Sequence, residues 1–293
     1  MNKNILEIKD LRKAFGRREV LKGLSLSCAP GEVIGILGRN GTGKTTLFNI
    51  LLDLTAADSG GVEILGLKPD GSGKLRGLIG YVPEKPAFHP FMTVREVLEF
   101  RAAFFPLWNM GKAEELCRKL ELDLAAKTGR LSKGGIAKLA WIAAVAHNPA
   151  LLLLDEPTSG LDYLVRDHIL SGLISELAEG GKSIIVSNHR MGEMGGILDR
   201  VCLLKDGVIK ADYTAEFVKT EAFRVSARLE GGLPEAGPGV SALGGSGPLA
   251  ELAVLGRANL ERLKADPRFG QAEISPLDLD AAFKVMLGER EAL

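Results

Sequence analysis

Residues 38–46 read Gly38-Arg39-Asn40-Gly41-Thr42-Gly43-Lys44-Thr45-Thr46. The apolar run Val33-Ile34-Gly35-Ile36-Leu37 before them reads as a buried strand. The stretch from Thr45 to Leu54 carries Leu47, Ile50, Leu51 and Leu54 at helical spacing. A glycine-rich loop between a strand and a helix is the setting of a phosphate-binding loop. Its glycines let successive backbone N–H groups turn inward toward phosphate oxygens, and the helix N-terminus adds positive partial charge. Lys44 is expected to reach the β- and γ-phosphates of a nucleotide, and the Thr45 hydroxyl to ligate Mg²⁺.

A second motif sharpens this reading. Leu151-Leu152-Leu153-Leu154 is a continuous aliphatic run that ends in Asp155-Glu156. Such a run fits a strand covered on both faces of a parallel sheet. Ligands of open α/β sheets bind at the carboxyl ends of the strands, which places both carboxylates beside the phosphate loop. Asp155 is then suited to hold Mg²⁺, and Glu156 to orient and deprotonate an attacking water.

The rest of the chain sets bounds. It has 293 residues, 46% of them hydrophobic and 25% charged, enough for a large domain with a smaller one. Lys plus Arg and Asp plus Glu each number 37, so charge gives no footprint of a nucleic-acid partner. Cys28, Cys117 and Cys202 lie far apart, without metal spacing, and fit buried thiols of a reducing compartment. The charged N-terminus is no signal peptide, and no segment reaches the roughly 20 apolar residues of a membrane helix.

Short strands are predicted over 5–8, 24–27 and 33–37, then a turn at Asp58-Ser59-Gly60-Gly61 and strands over 62–65 and 78–82. Residues 84–148 read as largely helical, with Thr93-Val94-Arg95-Glu96 as a capping box. Leu170, Leu173, Ile174 and Leu177 form one helical stripe, Ser183 to Val186 another buried strand, and Val201 to Ile209 a hairpin turning at Asp206-Gly207. Phe223 to Glu230 alternates as an amphipathic strand, and the Gly/Pro-rich stretch 231–248 reads as a loop. Ser275-Pro276 opens a final helix carrying Leu279, Ala282, Phe283, Met286 and Leu287.

Taken together, the motifs over 4–213 resemble the nucleotide-binding subunit of ABC-type transporters. Phe15-Gly16 matches the family's adenine-stacking aromatic, Gly38 to Thr46 its phosphate loop, and Asp155 to Asp162 its acidic strand end and following loop. His189 matches its switch histidine. The resemblance implies an α/β fold with a mixed-sheet core, an N-terminal antiparallel β-subdomain and a helical subdomain at about 84–149. Residues 1–214 would be the ATPase domain and 215–293 a small α+β appendix. It also implies ATP and Mg²⁺ as cofactors, a homodimer or heterodimer of ATPase subunits, and separate transmembrane subunits. The chain would sit at the cytoplasmic face of the membrane.

Two motifs depart from the family pattern. The signature, usually Leu-Ser-Gly-Gly-Gln, reads Leu131-Ser132-Lys133-Gly134-Gly135. Ser132 and Gly134 remain to meet an anion at a helix N-terminus, which in the family is the partner's ATP. Lys133 adds a charge there. Glu84, ending Tyr81-Val82-Pro83-Glu84, stands where the family has a Gln that approaches Mg²⁺, and it brings a third carboxylate to the site. Phe88 and Phe91 flank the family's groove for a membrane-subunit helix and are either contacts of that helix or subdomain packing. The resemblance extends to bacterial exporter subunits whose channel is a separate chain. The alternative is a soluble ABC-type ATPase acting as a nucleotide-gated interaction module.

Overall fold

The computed structural model describes residues 4–178, 180–188, 194–229, 239–246, 249–267, 269–277 and 281–282. β1 (Leu6–Phe15) and β2 (Arg18–Cys28) pair antiparallel, and the chain then enters β3 (Val33–Leu37), the glycine loop and α1 (Lys44–Leu51). β4 (Ser59–Ile64) returns to β1 and completes an antiparallel sheet of order β2-β1-β4. The turn predicted at 58–61 is therefore mostly strand. Ser59 and Gly61 pair with Arg12 and Lys9, because small residues still offer backbone donors and acceptors to a neighbouring strand.

The central sheet assembles β5 (Ile79–Val82), β6 (Leu151–Asp155), β7 (Ser183–Asn188), β8 (Arg200–Lys205) and β9 (Val208–Thr214) around β3, in the order β5-β6-β7-β3-β8-β9. All neighbours are parallel except β9, which returns antiparallel through the predicted Asp206-Gly207 turn, both residues at positive φ. The sheet is covered on both faces, which explains its unbroken aliphatic runs. Leu152, Leu154, Ile184 and Val186 face the helices, whereas Leu151, Leu153, Ile185, Ile34 and Ile36 face α1 and the antiparallel sheet.

The helical stretch between β5 and β6 contains α2 (Val94–Ala102), α3 (Met110–Lys119) and α4 (Lys133–Val145). α2 opens on the predicted capping box, with Thr93 Oγ1 accepting from Glu96 N at 3.2 Å and Thr93 N donating to Glu96 Oε2 at 2.6 Å. Between β6 and β7 lies α5 (Tyr163–Ala178), whose buried side is Val165, Ile169 and Leu173. Ile174, expected on that stripe, is 53% exposed, because the helix turns its Gly172 and Glu176 inward instead. Glu176 is buried, accepting from Lys182 and pairing with Lys112 Nζ of α3 at 2.6 Å.

Beyond β9 come α6 (Ala215–Glu221), β10 (Ala222–Leu229), β11 (Val240–Ser246), β12 (Leu249–Leu255), α7 (Arg257–Lys264) and β13 (Phe269–Pro276). They build an antiparallel sheet of order β11-β12-β10-β13, with Leu260 and Leu263 of α7 packed on Val225, Leu252 and Val254. β10 is the amphipathic strand expected from alternation. β11 corrects the loop expected over 231–248. Its composition, Val-Ser-Ala-Leu-Gly-Gly-Ser, carries little strand propensity, and pairing with β12 overrides it. Most of the predicted final helix lies outside the described residues.

Candidate functional site

Strand register builds the site. Asp155 is level with Ser187 of β7, and Ser187 with Ile36 of β3, so the acidic strand end and the glycine loop emerge together at one edge of the sheet. The Thr45 hydroxyl, one residue into α1, donates to Asp155 Oδ2 at 2.9 Å. The other carboxylate oxygen accepts from the Ser187 hydroxyl. Both Asp155 oxygens are thus oriented by neighbouring hydroxyls. Ser187 was not singled out from the sequence. Its signal was its place at the end of a buried strand that runs parallel beside Leu151–Asp155.

Glu156 leaves the strand at φ 48°, an uncommon value for a non-glycine residue, and its N–H donates to Ser187 O at 2.9 Å. Its carboxylate lies 3.4 Å from Lys44 Nζ, and both residues are over nine-tenths buried. The Lys44 ammonium also donates to the carbonyls of Gly38 at 2.6 Å and Arg39 at 3.4 Å. The loop folds over this side chain, with Gly41 and Gly43 at φ 81° and 111° and Thr42 Oγ1 donating to Arg39 O at 2.9 Å.

These groups open on a cleft of about 270 Å³ lined by Asn40, Lys44, Thr45, Thr46, Glu84, Asp155 and Glu156. Phe15 stands at its rim, 54% exposed, with Lys13 Nζ 5.4 Å from the ring centroid. An aromatic so exposed leaves a face for a planar ligand. Arg18 and Val20 of β2 also line the cleft and escaped the sequence reading, for want of a motif. Glu84, exposed and 3.9 Å from Lys85, reaches the cleft from the end of β5.

Ser132 and Gly134 do not line this cleft. Ser132 caps α4, its Oγ accepting from Gly135 N at 3.1 Å, and is exposed. Gly134 is buried, and a Cβ there would stand 2.7 Å from Val165 Cγ2, so close packing of α4 on α5 demands its small size. His189 lies outside the described residues. A second, largely apolar groove of about 230 Å³ runs between Leu52, Leu54, Ile79, Tyr81, Phe88 and Phe105, with Arg76 and Arg101 at its walls. Phe88 is half-buried in it and packs on the helical core, whereas Phe91 is 69% exposed. No helix among the described residues is long and apolar enough to cross a membrane.

Comparison with known proteins agrees with this geometry. Residues 21–159, which include Lys44, Asp155 and Glu156, match the ABC transporter family. The chain is 31% identical over 221 residues to the ABC transporter ATP-binding protein YtrB of Bacillus subtilis, covering 75% of this chain and 76% of that one. It is 35% identical over 209 residues to the Nod factor export ATP-binding protein I of Rhizobium etli, covering 69% and 66%. Among solved structures, an ATP-binding subunit of an ABC transporter superposes with a TM-score of 0.68 at 28% identity, over 73% of this chain and 92% of that one. The ATP-binding cassette MJ0796, a dimer bound to ADP and Pi, does so with 0.65 at 28% identity, over 72% and 98%. The mixed α/β core with its phosphate loop is that of these proteins, and the chain belongs to the ABC transporter ATP-binding proteins.

Proposed function

We propose that this chain binds and hydrolyses Mg-ATP in the cleft between the glycine loop and Asp155-Glu156, and that hydrolysis drives separate transmembrane subunits. The observation that carries this is the convergence of Lys44, Thr45, Asp155 and Glu156 on one cleft with an exposed aromatic at its rim.

The donor set fits the ligand. Thr45 and Asp155 offer hard oxygens within 2.9 Å of each other, with Glu84 on the same cleft, as Mg²⁺ requires. Mg²⁺ held there supplies charge neutralisation at the phosphates. The backbone of Gly38 to Thr46 cradles the phosphates, and Lys44 takes the terminal ones. Glu156 accepts a proton from the attacking water, held in place by its backbone bond to Ser187. Phe15 stacks on the base. His189 is assigned to sensing the γ-phosphate through a hydrogen bond.

Ser132 is exposed and outside its own cleft, which suits a contact with nucleotide held by a second ATPase chain. Two chains would then close on two ATPs and reopen on hydrolysis. In this reading residues 1–214 form the motor, with a helical subdomain at about 84–149, and 215–293 an accessory unit. The groove beside Phe88 receives a helix of the transmembrane subunit. Export is the favoured direction, supported by relatives named for Nod factor export. The chain works at the cytoplasmic face of the membrane.

The test is Lys44→Ala in the full chain. ATP turnover should vanish and ATP affinity weaken, because a charge-assisted phosphate contact is lost. Unchanged turnover in the purified variant refutes the assignment of this cleft.

A further inference from the structure

We infer that Lys13 is a positioning residue for the base site: anchored by Asp58, its ammonium holds the Phe15 ring from one face and leaves the other for the base of the nucleotide. The inference rests on the ATPase reading above and deepens it at a residue that reading leaves without a role.

An aromatic ring at a cleft rim is a poor platform unless something fixes it. Phe15 is the last residue of β1, and Gly16 follows at φ 60°. Phe15 pairs with Arg18 across the short turn of that hairpin, and more than half of it is exposed. A ring so exposed changes rotamer within nanoseconds when no neighbour holds it. Stacking a base on it would then cost the ring that freedom, and binding would weaken accordingly.

Lys13 supplies the hold. Its ammonium lies over the Phe15 ring, 5.4 Å from the centroid and within cation–π range. The lysine side chain is only 14% exposed, and its end is fixed by an ion pair. Lys13 Nζ donates to Asp58 Oδ1 at 2.8 Å. The other Asp58 oxygen accepts from Ala14 N at 2.6 Å, and Asp58 N donates to Arg12 O at 2.9 Å. Asp58 thus grips Arg12, Lys13 and Ala14 in succession. These residues need it, because β1 slips its register against β2 between Lys13 and Ala14. Such an irregularity leaves backbone groups without ladder partners, and Asp58 takes the Ala14 N–H. The hydrogen bonds from Lys13 and Ala14 also hold the Asp58 carboxyl below its ordinary range, so the anchor stays charged at neutral pH.

The surroundings decide which face of the ring stays open. Phe15 and Arg18 line the nucleotide cleft with Asn40 and Gly41, and Lys13 does not. The ammonium therefore holds the ring from outside the cleft, and the face toward the glycine loop is left for a flat ligand. Its place outside the cleft and its bond to Asp58 separate this role from that of a phosphate ligand.

The test is a double-mutant cycle of Lys13→Met and Phe15→Ala in the full chain. It reads affinity for Mg-ATP, affinity for inorganic tripolyphosphate with Mg²⁺, and kcat. Lys13→Met should weaken ATP binding by about twofold to fivefold, the range of one cation–π contact near the surface. Tripolyphosphate affinity and kcat should not change, since neither depends on the base. Lys13→Arg, which keeps a cation, should bind ATP as wild type does, and Asp58→Ala should repeat the loss. In a Phe15→Ala chain, Lys13→Met should cost nothing further. Unchanged ATP affinity in Lys13→Met overturns the inference. An equal loss for tripolyphosphate, or the same loss without the Phe15 ring, does so too and makes Lys13 a general support of β1. Phe15→Ala with wild-type ATP affinity removes the base platform, and the positioning role with it. A wild-type chain that binds neither Mg-ATP nor tripolyphosphate refutes the ATPase reading itself.

Discussion

The Lys44 ammonium and the Glu156 carboxylate face each other at 3.4 Å inside the cleft, both nearly buried. Each therefore neutralises the other where a terminal phosphate would sit. In the proposed reading, a phosphate that takes Lys44 also releases the Glu156 carboxylate for the attacking water. In that reading, phosphate binding and release of the base are thus linked through one ammonium.

Glu156→Gln separates them. Turnover should fall by about 10²–10⁴, the range for removing a general base. ATP should bind somewhat more tightly, because Lys44 loses an anionic competitor. Nucleotide-dependent pairs should accumulate on a sizing column, and Ser132→Arg should abolish them by placing bulk at the phosphate contact. A variant that binds ATP but stays monomeric at every concentration excludes a homodimer and favours a second, different ATPase chain.

Glu84 tests the departure at the end of β5. If it only offers an oxygen, Glu84→Gln should retain much of the activity with the same pH–rate profile. If its charge tunes the neighbouring carboxylates, the profile should move. Complete loss of turnover with ATP affinity retained rules out the simple ligand role.

Glu176 bears on stability rather than chemistry. It holds Lys182 and Lys112 with separate oxygens in a buried setting. Glu176→Ala leaves Lys182 buried without its carboxylate, which typically costs about 3–5 kcal/mol. The midpoint of urea unfolding should drop accordingly, and ATP affinity of the folded fraction should be unchanged. A midpoint equal to wild type would show that the contact contributes nothing.

His147 makes stability pH-dependent. Burial pushes its pKa down to about 4, aided by the nearby Arg101 guanidinium. Its approach to the Ile79 backbone opposes the shift but falls short of a hydrogen bond. The unfolded chain binds this proton near pH 6.5 and the folded chain only near 4. The stability held above pH 6.5 is therefore lost as pH falls toward 4, by at most about 1.4 kcal/mol per pH unit. His147→Phe should flatten that part of the curve, measured by urea midpoints between pH 4 and 7.

The C-terminal sheet has its own core, and every nucleotide motif precedes it. A chain of residues 1–221, which keeps Ala215 in the main core, should bind ATP with wild-type affinity. Any deficit should lie in stability or pairing. A folded 1–221 chain unable to bind ATP would refute this division.

Some of this was legible because it is local. Gly38 to Thr46 between an apolar run and a helical stripe, Leu151 to Glu156, and the Thr93 capping box each carry their chemistry within a few consecutive residues. β3, β6 and α2 follow from backbone propensity and burial alone. What is not local was not legible. Ser187 gained its place by sheet register, 32 residues from the Asp155 it orients. Arg18 and Val20 reached the cleft because β2 lies beside the glycine loop. β11 became a strand only through its neighbour β12, and Ile174 turned outward although its stripe looked apolar. The Lys44–Glu156 pair joins residues far apart in the chain. Sequence alone determined which side chains were available for phosphate chemistry and where the strongly patterned strands and helices lie, because those depend on side-chain type and short-range period. Tertiary structure decided which of those groups meet, because partner choice depends on the order and register in which strands pair.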